Sequence, residues 1–137
     1  MEYIYTIDKI DDAAAWLLSQ IGSHRIVALK GDMGAGKTTM TKAIVACMGG
    51  DADEVNSPTF SLVNEYETPQ GTICHFDFYR IKNQREAVDF GIFDYFDSGR
   101  YCFMEWTELI PDLLPDDVLT VEITEISTDK RKLTVCV

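Results

Sequence analysis

A chain of 137 residues, 46% of them hydrophobic, can bury the core of one globular domain, and we expect a single domain over residues 1–137. Its formal net charge of -11 would repel a phosphate backbone, which disfavours a surface that binds RNA directly. No apolar stretch approaches the roughly 20 residues that span a bilayer, and residues 1–5 lack the pattern of a signal peptide, so we expect a soluble, cytoplasmic protein.

The cysteines of this chain argue against two kinds of site. Their spacings are wide and irregular and include no CxxC pair, which disfavours both a structural zinc site and a disulfide framework. We expect small buried thiols that stay reduced. These cysteines are Cys47, Cys74, Cys102 and Cys136.

The first part of the chain predicts a strand, a helix and a second strand. Residues 1–7 have the pattern of a short strand, after which Asp8 is expected to cap a helix that ends at Gly22. That helix would have one apolar face, formed by Ile10, Ala14, Leu17, Leu18 and Ile21. Residues 25–30 contain four consecutive apolar residues, which indicates a strand buried on both faces.

The glycine-rich segment 31–38 matches the pattern GxxxxGK[ST] and lies between this strand and a predicted helix over residues 37–48. Glycines allow backbone N–H groups to wrap phosphates, and the helix directs its positive N-terminal end towards them. Lys37 would then contact the β- and γ-phosphates, and the Thr38 hydroxyl would reach Mg²⁺. The pattern therefore predicts a P-loop rather than a turn that binds nothing. The inward stripe of the helix is expected to be Met40, Ile44, Cys47 and Met48.

The middle of the chain predicts a β-hairpin and a short helix. Residues 59–66 and 72–79 are strand-like and flank a turn at residues 69–71. Asn83 is expected to cap a short helix that continues to Val88. The aromatic-rich residues 90–96 that follow are expected to pack onto the sheet.

Two acids at predicted strand ends are candidates for holding a metal. Glu105 follows the apolar run 101–104, the place of a Walker-B-like carboxylate, and Asp77 ends the second strand of the hairpin. The residues alone leave the choice between them open.

Three further side chains have two interpretations each. His75 is either a proton acceptor or a hydrogen-bonded structural residue. Arg80 and Arg131 are either stabilisers of phosphate charge or surface cations of an acidic protein. Neither Trp16 nor Trp106 has a spacing that identifies a platform for a base, so packing is the expectation for both.

The end of the chain completes the predicted fold. Residues 119–124 and 133–136 alternate apolar and polar side chains around a polar turn at residues 127–130, which indicates an antiparallel pair with one face towards water. With the buried strands, this predicts a three-layer α/β P-loop NTPase-like domain. Its mixed sheet would be parallel at the centre, with antiparallel additions from the hairpin and the C-terminal strands.

Four segments, in this order and spacing, resemble the bacterial TsaE (YjeE) family of small ATPases. They are GDMGAGKTT at 31–39, SPTF at 57–60, HFDFYR at 75–80 and EW at 105–106. The resemblance implies a Mg²⁺-dependent ATPase, weak or partner-stimulated, needed to make N6-threonylcarbamoyladenosine beside the anticodon of tRNA. It also implies action through the TsaD-TsaB pair, of which TsaD is the transferase, with tRNA contacted only indirectly.

The same resemblance assigns roles within the site. Thr38 and Glu105 would be the Mg²⁺ ligands, and Asp77 would lie close to the metal or the attacking water. Thr59 would belong to a switch-like loop near the γ-phosphate and would join Lys37, Asp77 and Glu105 as the catalytic set. The residues expected to bind ATP are Gly34, Ala35, Gly36, Lys37, Thr38 and Thr39, with Asp11 and Arg131 on the adenosine side.

Three other functions are compatible with a P-loop. A kinase for a small molecule needs an acceptor pocket and an arginine-bearing lid, and no segment is long enough for both. A GTPase would need an Asn-Lys-x-Asp segment, which the sequence lacks. A non-catalytic adaptor, in which ATP only stabilises a complex, differs from an ATPase in turnover with a non-hydrolysable analogue. The kinase and the adaptor are the alternatives to be tested.

Overall fold

The computed structural model describes residues 1–32, 34–55 and 62–136, and within them seven strands form one sheet. The strands are β1 Glu2–Thr6, β2 Ile26–Lys30, β3 Val63–Thr68, β4 Gly71–Asp77, β5 Tyr101–Glu105, β6 Leu119–Ser127 and β7 Lys130–Cys136. The α-helices are α1 Ile10–Ile21, α2 Lys37–Cys47, α3 Gln84–Phe90 and α4 Ile92–Asp97. Short 3₁₀ turns span Ile7–Lys9, Ala52–Glu54, Thr107–Leu109 and Pro111–Leu113.

The sheet has the strand order β1-β7-β6-β2-β5-β4-β3. Its centre is parallel, because β2 pairs in parallel with β5 and β6, and β4 pairs in parallel with β5. The pairs β1–β7, β6–β7 and β3–β4 are antiparallel. The mixed sheet is therefore confirmed, as are both predicted antiparallel pairs. The expected start of the first hairpin strand, residues 59–61, lies outside the described residues.

The central strands carry apolar side chains on both faces because helices cover both sides of the sheet. Phe103 of β5 packs in the same cluster as residues of α1 and α2, whereas its neighbours Cys102 and Met104 pack in the cluster that contains residues of α3 and α4. This alternation follows from the period of two in a strand. The three-layer arrangement is confirmed, and it explains why β2 and β5 are uninterrupted apolar runs.

The start of α1 differs from the expectation. Asp8 does not cap the helix, since it lies in the 3₁₀ turn Ile7–Lys9, and the N-cap residue is Lys9 without a side-chain bond. The reason is a long-range contact: the Ile7 N–H donates to the Asp129 carbonyl at 2.9 Å, which fixes this turn against the β6–β7 hairpin. The apolar face of α1 is confirmed by the burial of Ala14, Leu17 and Ile21 and the partial burial of Ile10 and Leu18.

The prediction that all four cysteines are buried is wrong for two of them. Cys74 and Cys102 are buried in the sheet, but Cys47 and Cys136 are exposed. Cys47 is exposed because the inner face of α2 is formed by Met40 and Ile44, four residues apart, and is continued by Met48 directly after the helix. Cys136 is exposed because it alternates with the buried Val135 in β7.

The region after the hairpin agrees with the prediction in part. Asn83 caps α3, since its side chain accepts from the Glu86 N–H at 3.2 Å, and the helix extends beyond Val88 to Phe90. Ile92 is buried against the sheet, but Phe90 and Phe93 are 39% and 46% exposed. No helix among the described residues has the length and apolar character needed to cross a membrane.

Candidate functional site

The glycine-rich loop joins β2 to α2, and its glycines are required for two different reasons. Gly34 and Gly36 have φ angles of +85° and +108°, in the left-handed region that favours glycine. Gly31 is needed for space, because a Cβ there would lie 2.8 Å from the Ile123 carbonyl oxygen and 3.2 Å from the Ala35 Cβ. The loop therefore passes closely against β6 before it enters the helix.

The first turn of α2 lines an open cleft of about 290 Å³. Gly36 is the N-cap residue of α2, and as a glycine it has no side chain that could cap the helix. The N–H groups at the N-terminus of a helix favour an anion. The residues that line the cleft are Gly34, Gly36, Lys37, Thr38, Thr39, Asp77, Tyr79, Glu105 and Trp106.

The P-loop lysine is almost fully enclosed. Lys37 is 6% exposed, its Nζ donates to the Gly31 carbonyl oxygen at 2.9 Å, and the same Nζ lies 3.8 Å from the centre of the Trp106 ring. An ammonium over an indole face is attracted by the ring quadrupole. Tyr79 in turn contacts Trp106, with ring centroids 5.0 Å apart. The side of the cleft next to Lys37 is therefore aromatic.

Trp106 and Tyr79 line the cleft, although the sequence analysis assigned neither of them a role in the site. Among the described residues other than glycine, Trp106 alone has a positive φ, of 60°. Such a backbone conformation is costly for a bulky residue and concentrates at functional sites. The sequence signals were the position of Trp106 directly after Glu105, where β5 ends, and the place of both residues in the segments HFDFYR at 75–80 and EW at 105–106.

Glu105 connects the P-loop to the sheet. It is 4% exposed, and its Oε2 accepts from Thr38 Oγ1 at 3.0 Å. The same oxygen lies 2.6 Å from Nε2 of His75, whose side chain is fully buried. The two predicted Mg²⁺ ligands, Thr38 and Glu105, are thus in direct contact. His75 is hydrogen-bonded as its structural interpretation expected, and its partner is one of the two candidate acids.

Asp77 is the neighbour of Glu105 across the parallel strands β4 and β5 and lines the same cleft. Burial raises the pKa of the Asp77 carboxyl, and the nearby Glu105 charge raises it further, whereas a bond from the Tyr79 N–H to Oδ1 at 2.9 Å lowers it. Both candidate acids are therefore part of one site.

Arg131 of β7 contacts the glycine-rich loop. Its Nε donates to the Ala35 carbonyl at 3.1 Å, and its Nη1 donates to backbone carbonyls of the β6–β7 turn, with Ser127 at 2.8 Å. Arg131 and Ala35 line a second cleft of about 130 Å³ next to the loop. The other residues lining it are Tyr5, Ile7, Ile10, Gly34, Gly36 and Thr39.

The remaining predicted residues lie elsewhere. Asp11 is exposed in the first turn of α1, where its neighbour Ile10 rather than Asp11 itself lines the second cleft. Arg80 is exposed after β4. Thr59 and the rest of the segment 57–60 lie outside the described residues.

The residues in the cleft fit Mg²⁺ bound together with a nucleotide. Among the described residues, no group of three or more His, Cys, Asp or Glu side chains could hold a metal alone. Thr38 Oγ1 and Glu105 Oε2 are two oxygen atoms that could bind a metal, and they lie 3.0 Å apart beside the helix N-terminus. Mg²⁺ is usually held by one or two protein carboxylates with substrate phosphates and water, which is the chemistry that these donors match.

Comparison with known proteins identifies the family. The family model described as "Threonylcarbamoyl adenosine biosynthesis protein TsaE" matches residues 4–133. A Rickettsia bellii protein named tRNA threonylcarbamoyladenosine biosynthesis protein TsaE is 38% identical over 79% of this chain and 74% of its own. The protein of that name from Aquifex aeolicus is 37% identical over 91% of this chain and 84% of its own.

A solved structure supports the same relationship. The crystal structure of YdiB from Bacillus subtilis superposes with a TM-score of 0.74 and 26% sequence identity, over 98% of this chain and 83% of YdiB. The resemblance read from the four sequence segments is confirmed. This chain belongs to the TsaE family of threonylcarbamoyl adenosine biosynthesis proteins.

Proposed function

We propose that this chain is a Mg²⁺-dependent ATPase that supports the transfer of a threonylcarbamoyl group to tRNA by the TsaD-TsaB pair. One observation carries the ATPase assignment: a P-loop at the N-terminus of α2 shares a single cleft with Asp77 and with Glu105, which is bonded to Thr38. Phosphate binding, a metal position and a second carboxylate are the parts that phosphoryl transfer to water requires.

The P-loop residues would bind the phosphates. The N–H groups at the start of α2 attract their negative charge, and Lys37 adds a full positive charge within the same cleft. Thr38 and Glu105 would hold Mg²⁺. When bound, Mg²⁺ neutralises charge on the phosphate oxygens and helps to align the transferred group.

Asp77 would orient the attacking water. In hydrolysis, the water oxygen forms a bond to the γ-phosphorus, the bond between this phosphorus and the bridging oxygen of ADP breaks, and inorganic phosphate leaves. Asp77 lines the cleft, so its carboxyl can hold a hydrogen bond to a water molecule there. Its role is positioning the nucleophile, which is a large part of catalysis in this reaction class.

The partner assignment is supported by family membership and by charge. The relatives carry names in tRNA threonylcarbamoyladenosine biosynthesis. A net charge of -11 disfavours direct binding to tRNA, so this chain would act on the tRNA through proteins. TsaD-TsaB are the partners that the family resemblance implies.

The test is a reconstitution with purified chain, TsaD-TsaB, tRNA, ATP and a threonylcarbamoyl donor. Phosphate release and modified tRNA are measured with Mg²⁺ and with EDTA. We expect both activities to need Mg²⁺ and to be stimulated by the partners. Lys37→Ala should weaken ATP binding and abolish hydrolysis, and Glu105→Ala should mainly impair Mg²⁺-dependent hydrolysis. Arg85→Ala, which removes an exposed cation, is the matched control and should leave both activities unchanged.

Two outcomes would replace this proposal with an alternative. Equal multiple turnover of tRNA modification with ATP and with a non-hydrolysable analogue would identify a nucleotide-dependent adaptor. Transfer of labelled γ-phosphate to a small molecule, without dependence on TsaD-TsaB, would identify a kinase. If Asp77→Ala lost metal dependence while Glu105→Ala kept partner-stimulated activity, the roles of the two acids would be exchanged.

A further inference from the structure

His75 is a buried polar residue whose position in the site goes beyond the roles assigned so far. It lies on β4 two residues before Asp77, and its side chain has no solvent exposure. Nε2 of its ring is 2.6 Å from Oε2 of Glu105, which lies on the neighbouring strand β5. The imidazole therefore contacts the candidate metal ligand from inside the protein, on the side away from solvent.

The proposed metal site determines the direction of this contact. The form of Glu105 that would hold Mg²⁺ is a carboxylate, which only accepts hydrogen bonds, so Nε2 of His75 would be the donor. The other ring nitrogen, Nδ1, is buried and has no hydrogen-bond partner among the described residues. Buried polar atoms are normally satisfied, and an apolar side chain would fill this position without leaving Nδ1 unpaired. The single bond to Glu105 is therefore the feature that a histidine adds here.

Two donors converge on one oxygen of Glu105. Oε2 accepts from Thr38 Oγ1 at 3.0 Å and from His75 Nε2 at 2.6 Å. A glutamate side chain loses rotamer freedom when it binds a metal, and donors that already hold its carboxylate reduce that loss. Substitution of a residue that hydrogen-bonds to a metal ligand commonly lowers the metal affinity about 10- to 100-fold.

We propose that His75 is a positioning residue for Glu105, which it holds against Thr38 in the orientation that binds Mg²⁺ with ATP. The proposal rests on the proposed function. His75 itself would touch neither the nucleotide nor the metal, and it acts only through the carboxylate of Glu105.

Two amide variants separate the hydrogen bond from packing. In His75→Gln, the side-chain amide can reach the position of Nε2 and donate to Glu105. In His75→Asn, the amide reaches only the position of Nδ1, so the donor is lost although a buried polar group remains. The affinity of the folded proteins for a fluorescent ATP analogue is measured in EDTA and across a Mg²⁺ titration.

We expect His75→Asn to raise the Mg²⁺ concentration at half-maximal binding by about 10- to 100-fold, with affinity in EDTA changed less than about twofold. His75→Gln should restore most of the Mg²⁺ dependence of the wild type. The proposal is refuted if His75→Asn keeps the wild-type Mg²⁺ dependence. It is also refuted if both variants lose it equally, because that result indicates packing around the ring.

A second measurement decides the case if a variant does not fold. Nitrogen-15 chemical shifts of the wild-type imidazole, recorded without nucleotide, should show a proton on Nε2 of His75. A proton on Nδ1 with a bare Nε2 would exclude donation to Glu105 and would overturn the proposal.

Different results would refute the proposed function and the positioning role of His75. If the wild type binds the analogue equally in Mg²⁺ and in EDTA, the proposed function fails, and the positioning role fails with it. If the wild type depends on Mg²⁺ and His75→Asn depends on it to the same degree, only the positioning role fails.

Discussion

Replacing Gly31 with alanine should damage both stability and nucleotide binding. The added Cβ would lie 2.8 Å from the carbonyl oxygen of Ile123, whereas ordinary contacts begin at 3.4 Å. Ile123 is held in β6 by its pairing with Leu133 of β7, so the loop rather than the strand would have to move, by about 0.6 Å. Overpacking of this kind costs about 1–3 kcal/mol.

This cost should lower the melting temperature by roughly 3–10 °C. The Gly31 carbonyl also accepts from Lys37 Nζ, so the shift would displace the lysine that is expected to bind phosphate. A hydrogen bond to a charged group is worth about 1.5–3 kcal/mol, so weakening the contact between Lys37 and a phosphate should reduce ATP affinity roughly tenfold. Isothermal titration calorimetry and thermal unfolding of the same samples measure the two effects.

Gly99→Ala is the matched control for this experiment. Gly99 has a φ of +77° with no atom within 4 Å of an added Cβ, so alanine there strains the backbone without a clash. It should lower the melting temperature by a few degrees and leave ATP affinity unchanged. Wild-type ATP affinity in Gly31→Ala would refute the argument that the close approach to β6 sets the loop.

Two other substitutions test the surroundings of the loop. Burial and the charge of Glu105 raise the pKa of Asp77, so this carboxyl binds its proton more tightly in the folded state than in the unfolded state. The stability that the bound proton contributes is lost as the pH rises through the folded-state pKa. Asp77→Asn should therefore unfold at higher urea concentration than the wild type at pH 7 and at the same concentration near pH 3; equal midpoints at pH 7 would contradict this. Arg131→Lys should cost about 1–3 kcal/mol in the same assay and weaken ATP binding, because one ammonium cannot reach both the Ala35 carbonyl and the β6–β7 turn. An unchanged urea midpoint would show that these bonds contribute no net stability.

The sheet could be predicted because its signals are local. A strand buried on both faces must be apolar throughout, so β2 and β5 were visible as uninterrupted runs, and β6 was visible by its alternation. The cap of α1 could not be predicted in the same way. Asp8 satisfies the local rule for an N-cap, but the bond from Ile7 to Asp129 joins positions 122 residues apart and sets the backbone before the helix begins.

Part of the site was predicted, because Asp77 and Glu105 were both placed at strand ends as candidates for holding a metal. The structure brings them into one cleft with the glycine-rich loop, since the carboxyl ends of the parallel strands β2, β4 and β5 meet at one edge of the sheet. Trp106 was not predictable, because its contact with Lys37 depends on a left-handed backbone angle that no residue pattern marks. Arg131 was identified, but its bonds to backbone carbonyls could not be read from the sequence.

The pairing of β2 has a consequence for how this protein folds. β2 leads directly into the P-loop, yet its neighbours are β5 and β6, which begin at Tyr101 and Leu119. Contacts between segments this far apart in sequence form slowly, because the chain loses the entropy of closing a long loop before the contacts contribute any stability. The glycine-rich loop therefore leaves the ribosome before β5 and β6, and β2 cannot acquire these strand neighbours until both have followed. Acquisition of the proposed nucleotide binding should therefore report the late stages of folding.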